Sequence, residues 1–95
     1  MNQFSLTGSI HKFVDDEIEV HHNYQKTVLV LKCENGSRTI QHVPIDFPNE
    51  KRALLGGFEK GQNVNITCVP KGRMKFKQNK ELYYAAYEAV EITRV

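Results

Sequence analysis

Lys71, Arg73, Lys75, Lys77 and Lys80 lie within one run, Val69-Pro70-Lys71-Gly72-Arg73-Met74-Lys75-Phe76-Lys77-Gln78-Asn79-Lys80, which continues into Glu81-Leu82-Tyr83-Tyr84. Residues 70 to 80 contain no carboxylate. Five of the thirteen Lys and Arg residues are therefore concentrated here, while the other eight face eleven acids, so the net charge of +2 divides into +5 on this run and −3 elsewhere. Cations segregated in this way suit a polyanion followed along one surface. In an extended hairpin Arg73, Lys75 and Lys77 fall on one side and Met74 and Phe76 on the other. Phe76, set between two lysines, offers a flat face on which a base can stack. Two readings of the apolar side stay open: it folds over a bound strand, or it packs on a neighbouring subunit. The plainer alternative for the whole arm is a solvated hairpin that keeps the protein soluble.

The other titratable clusters carry less chemistry. Asp15, Asp16, Glu17, Glu19, His21 and His22 match no calcium loop, and adjacent histidines on an extended chain point to opposite sides, so a solvated turn is the expectation and no metal is called for. Cys33 and Cys68 are too far apart for a CxxC site and are expected to be reduced and buried in strands. There is no GxxxxGK phosphate loop, nucleophile elbow or strand-anchored carboxylate pair, so neither an enzyme nor a cofactor is expected. The N-terminus lacks a secretory pattern and the longest apolar run is Val28-Leu29-Val30-Leu31, which leads to a soluble cytoplasmic protein as the expectation.

The elements that must hold the arm follow from alternation and punctuation. At 95 residues the chain is expected to form one domain, residues 1 to 95, with a basic arm at about 70 to 82. Residues 4 to 10 alternate as a half-buried strand, which Phe13 and Val14 can extend, and Gly8 suggests a bulge or bend within it. Asp15-Asp16-Glu17 reads as a turn and residues 18 to 23 are ambiguous. Residues 24 to 33 form the clearest strand, with Tyr24, Lys26, Val28, Val30 and Lys32 on its outer face. Asn35-Gly36 supplies a tight turn. Residues 38 to 47 return as a strand that should be at an edge or leave the sheet at Pro44, which cannot donate to a ladder. Residues 48 to 55 are the one helix, with Asp46 as a possible cap, Leu54 and Phe58 on its core side and Gly56-Gly57 as its stop. Residues 63 to 69 alternate again, the arm follows, and residues 82 to 95 close the chain as a long strand with Tyr83, Tyr87, Ala85 and Ala89 inward and Tyr84 outward. Phe4, Phe13, Phe47 and Phe58 are assigned mostly to the core. Three strands, a short helix and two strands describe a five-stranded oligonucleotide-binding (OB) Greek-key barrel, all-β with its helix between strands three and four.

Phe58-Glu59-Lys60-Gly61-Gln62-Asn63-Val64-Asn65-Ile66 and the following Gly72-Arg73-Met74-Lys75-Phe76 resemble the helix-end and strand-four passage of bacterial single-stranded DNA-binding proteins. Leu6-Thr7-Gly8-Ser9-Ile10 and Tyr83-Tyr84-Ala85-Ala86-Tyr87-Glu88-Ala89 look like that family's first and last strands. The chain is also similar to short OB proteins of unknown function from Bacteroides-type bacteria and their phages. The resemblance implies single-stranded DNA as the ligand, with RNA next, little sequence preference, and work in replication, recombination or repair in a bacterial or phage-infected cell; a homo-oligomer (dimer or tetramer) is expected because a barrel this small covers few nucleotides by itself. Two departures bear on it. The chain ends Glu91-Ile92-Thr93-Arg94-Val95 without that family's acidic tail, so recruitment of partners through such a tail is not expected, and it has no Trp, so Phe or Tyr must stack in its place. The candidate ligand contacts are Lys71, Arg73, Lys75, Phe76, Lys77 and Lys80 on the arm, with Tyr24, Lys26, His42 and Tyr84 beside it. An OB module for protein assembly, anchored by Met74 and Phe76, is the competing reading.

Overall fold

A computed structural model describes residues 2–17, 25–34 and 39–95. Five strands, β1 (Phe4–Glu17), β2 (Gln25–Glu34), β3 (Ile40–Pro48), β4 (Asn63–Lys77) and β5 (Lys80–Arg94), close into a barrel in the order β1-β2-β3-β5-β4, with a 3-10 helix, Asn49–Leu55, between β3 and β4. All neighbours are antiparallel except β3 and β5, which meet in parallel over only Ile45↔Tyr87 and Asp46↔Glu88. The expected OB architecture is the one observed.

Strict alternation places Thr27, Leu29, Leu31 and Cys33 of β2 inside, with Ile45 and Phe47 of β3 and Val64, Ile66 and Cys68 of β4. Phe4, Phe13 and Phe58 pack against this cluster from its rim. Lys26, Val28, Val30 and Lys32 occupy the outer face of β2 as their parity requires. Two bulges keep the faces sorted. One extra residue at His11 separates Ile10↔Leu31 from Lys12↔Val30, so Lys12 turns outward and Phe13 inward. Another at Val90 separates Cys68↔Ala89 from Thr67↔Glu91, which buries both Ala89 and Ile92 and leaves Glu91 outside.

Several expectations need correcting. The irregularity of β1 falls at His11, not Gly8. Gly8 instead marks a close approach, because a Cβ there would collide with the backbone carbonyl of Lys32. It precedes Ser9, where β1 passes from pairing with β4 to pairing with β2. Asp15, Asp16 and Glu17 are not a turn but the end of β1, paired with Thr27, Lys26 and Gln25. The Thr27 hydroxyl donates to Asp15 Oδ1 at 2.7 Å, which satisfies the one buried polar side chain of β2. The helix is 3-10 and has no side-chain cap; Asp46 instead accepts from Lys26 Nζ at 3.4 Å. Leu55, the last residue of the helix, and Phe58, beyond it, pack against the core, joined by a turn in which Phe58 N–H donates to Leu55 O at 3.1 Å, while Leu54 faces solvent. The turn at Asn35-Gly36, residues 18 to 23 and Tyr24 lie outside the described residues.

Cys33 and Cys68 are free and buried, as expected. Burial pushes both thiols up, Cys68 to about 11 with Cys33 adding to its shift. A thiol whose pKa is raised on folding stabilises the barrel below its unfolded value, and that contribution disappears as pH rises through the folded value. Stability is therefore expected to fall between about pH 9 and about pH 11, and a disulfide-exchange reagent at pH 8 should label the thiols only at the rate of unfolding. Rapid labelling of the folded protein would contradict this burial.

Candidate nucleic-acid interface

Beyond the barrel β4 and β5 continue together as a two-stranded ribbon. The ladder runs from Pro70↔Tyr87 to Lys77↔Lys80, and every residue from 70 to 87 is exposed. Gln78 and Asn79 close it in a two-residue turn with φ of 52° and 60°, the left-handed pair that a type I′ hairpin requires. The arm is a regular ribbon that does not fold back on its own barrel.

Directly opposed residues of an antiparallel pair share a face, so the register sorts the side chains. One face carries Lys71, Arg73, Lys75 and Lys77 on β4, opposite Ala86, Tyr84, Leu82 and Lys80 on β5. All five cations thus stand on one face with Tyr84, whose ring lies 5.9 Å from Lys75 Nζ. Lys71 approaches Glu88 at 3.8 Å at the root of the ribbon. Arg73, Lys75, Lys77 and Lys80 have no carboxylate partner among the described residues.

The other face carries Met74 and Phe76 with Tyr83, Tyr87 and Glu81. It continues the inward parity of Cys68 and Ala89, so Tyr83 and Tyr87 have the parity expected of them. The barrel ends at Tyr87, however, and its wall gives way to solvent. Tyr87 packs edge-on against Phe4 at 5.2 Å, whereas Tyr83 is 72% exposed and Phe76 68%. The Tyr83 hydroxyl donates to the Glu81 carboxylate, a bond that pushes the phenol's pKa up, with slight desolvation adding to it. Phe76 does not share a face with the cations that flank it in sequence.

The barrel wall contributes separately. Lys26 is half-buried in its ion pair with Asp46. His42 is exposed on the outer face, as its parity requires, and its ring meets His11 edge-on at 4.8 Å. Tyr24 lies outside the described residues. Lys32 is expected on the outer face of its strand, but none of His11, Lys12, Lys32 and Lys60 is among the candidate ligand contacts. The β1 bulge and the loop before β4 bring them to His42, and no local pattern signals such a gathering. Among the described residues no three His, Cys, Asp or Glu side chains gather as a metal site, and no helix is long and apolar enough to cross a membrane.

No family model matches the sequence, and no curated protein does. Among solved structures the chain is similar to a small single-stranded DNA-binding protein from Streptomyces coelicolor, with a TM-score of 0.57 over 99% of this chain and 94% of that one at 13% identity. At that identity the likeness is one of fold, and the fold shared is the OB barrel.

Proposed function

We propose that the protein binds single-stranded DNA with little sequence preference, through the cationic face of the β4-β5 ribbon. The observation that carries this reading is the sorting of all five arm cations onto one face, four of them without a carboxylate partner among the described residues. Phosphates would meet Arg73, Lys75, Lys77 and Lys80, and Lys71 where the strand displaces Glu88. Tyr84 in their midst would stack a base, a contact worth about 1–3 kcal/mol and indifferent to sequence. Lys26 and His42 lie on the outer wall of β2 and β3, the side OB barrels offer to oligonucleotides, where they would extend the track. Replication, recombination or repair in a bacterial or phage-infected cell is the setting in which such an activity fits.

A competition assay tests the reading. A labelled deoxythymidine oligomer should be displaced by unlabelled single-stranded DNA, less readily by RNA, and far less readily by duplex DNA of equal phosphate content. Equal displacement by duplex would mean a general polyanion sink, and failure of the labelled oligomer to bind folded protein would remove the proposal.

The apolar face favours a second reading. Met74, Phe76 and Tyr83 stand exposed together on the face of the ribbon opposite the cations, a surface of the kind that marks protein contacts. On this reading the ribbon joins two copies of the chain, and Phe76→Ala would dissociate the oligomer. Both readings hold together if one face binds nucleic acid and the other a subunit.

A further inference from the structure

The outer wall of the barrel holds a second positive cluster, distinct from the arm. Ser9, Lys32 and His42 form one cross-strand row over β1, β2 and β3, and Lys12, Val30 and Pro44 form the next. His11, the bulged residue between these rows, lays its ring edge-on against that of His42 at 4.8 Å, with an interplanar angle of 77°. The loop before β4 is fastened alongside. Gly61 N–H donates to Ile10 O at 2.8 Å, and Ile10 N–H donates to Gln62 O at 2.9 Å, which brings Lys60 to the same place. Three strands and a loop thus place basic residues around His11.

The described charges acting on His11 are all positive. Partial desolvation, then His42, Lys12, Lys60 and Lys32, hold its pKa below the usual 6.5. Elsewhere on this wall the pattern differs, because Lys26 has Asp46 at 3.4 Å. Glu34 is the nearby acid of β2, and it lines a groove together with Lys32, Thr7, Gly8, Ser9 and Asn63. A cluster of this kind lacks one thing, an anion that would make protonation of the imidazole favourable.

We propose that His11, Lys12, Lys32, His42 and Lys60 form a phosphate-binding site in which anion binding is coupled to uptake of a proton by His11. Where the phosphate belongs to a polynucleotide, the proposal rests on the reading above and makes the grip of the barrel wall depend on pH. A bound phosphate raises the His11 pKa from its depressed free value. The extra affinity is then complete below the free value and is lost as pH rises through the bound one. If the phosphate moves the imidazole by about one unit, the ligand binds about tenfold more tightly on the acid side.

The test uses the full chain at constant ionic strength in chloride. The imidazole C–H signals of His11 are titrated alone, with inorganic phosphate, and with a deoxythymidine oligomer. Oligomer affinity is measured in parallel at pH 8 and pH 5.5 for wild type and for His11→Gln/His42→Gln. Expected are a raised His11 midpoint with either phosphate source and an affinity gain of up to about tenfold on acidification in wild type, which the double variant loses. Two outcomes separate the claims. A midpoint raised by inorganic phosphate without oligomer binding keeps this site and removes the polynucleotide reading. Tight oligomer binding with an unmoved His11 midpoint and a flat pH profile overturns the site and leaves the arm.

Discussion

Replacing Arg73, Lys75, Lys77 and Lys80 with Gln reduces the salt dependence of single-strand binding by nearly three units of slope. For single strands the logarithm of affinity falls with the logarithm of salt by roughly 0.7 per phosphate contact, so four cations account for about −2.8 and Lys71 would bring the arm to about −3.5. With the four intact, a rise from 50 to 200 mM salt weakens binding about 50-fold; without them that part of the loss disappears, and so does much of the low-salt affinity. Gln removes the charge and keeps a polar side chain on a ribbon whose residues are exposed, so the barrel should be unaffected. Affinity titrations at four salt concentrations, with circular dichroism as the folding control, measure the effect. An unchanged slope in a folded variant would show that the arm does not meet phosphates.

Phe47→Ala acts on the other half of the molecule. Phe47 is the largest fully buried side chain among the described residues, on β3 opposite Thr27, and it closes the core where the helix departs. Removing such a ring costs about 3–5 kcal/mol in lost transfer energy and residual cavity. A domain of this size has about 5–15 kcal/mol in total and belongs near the lower end. The variant should melt at least about 12 °C lower, at roughly 4–8 °C per kcal/mol, or fail to accumulate. Phe76→Ala is the internal contrast. The same residue type at 68% exposure should leave the monomer's stability within about 0.5 kcal/mol. Denaturant melts of both separate a core aromatic from a surface one, and similar losses would mean that the arm is packed against something in solution.

The barrel was legible because its strands announce themselves by period two and by punctuation at Gly56-Gly57 and Gly61. The inward row Leu29, Leu31 and Cys33 and the outward row Lys26, Val28, Val30 and Lys32 can both be read from alternation alone. What could not be read depends on partners distant in sequence. The bulge at His11 is set by how β1 divides itself between β4 and β2, and the bulge at Val90 by the register of β5 on β4. Lys26 reads as a free surface cation until Asp46, twenty residues away, is placed opposite its neighbour Val28. The Leu54-Phe58 stripe presumes an α-helix that reaches Phe58, whereas the helix is 3-10 and ends at Leu55. On the arm, alternation correctly separates cations from aromatics. Local sequence does not say where the wall behind Tyr83 ends, so a residue of inward parity emerges into water.

Tyr83 and Tyr84 are neighbours in sequence on opposite faces of the ribbon, and their rings report which face is used. The most direct measurement follows the ring resonances of both tyrosines, assigned by single Phe substitutions, as a deoxythymidine oligomer is added to the folded protein. Binding through the cationic face shifts Tyr84 by stacking and leaves Tyr83 and Phe76 nearly unmoved. Shifts at Tyr83 and Phe76 with Tyr84 unmoved, or saturating oligomer with no ring shifted, would contradict the account.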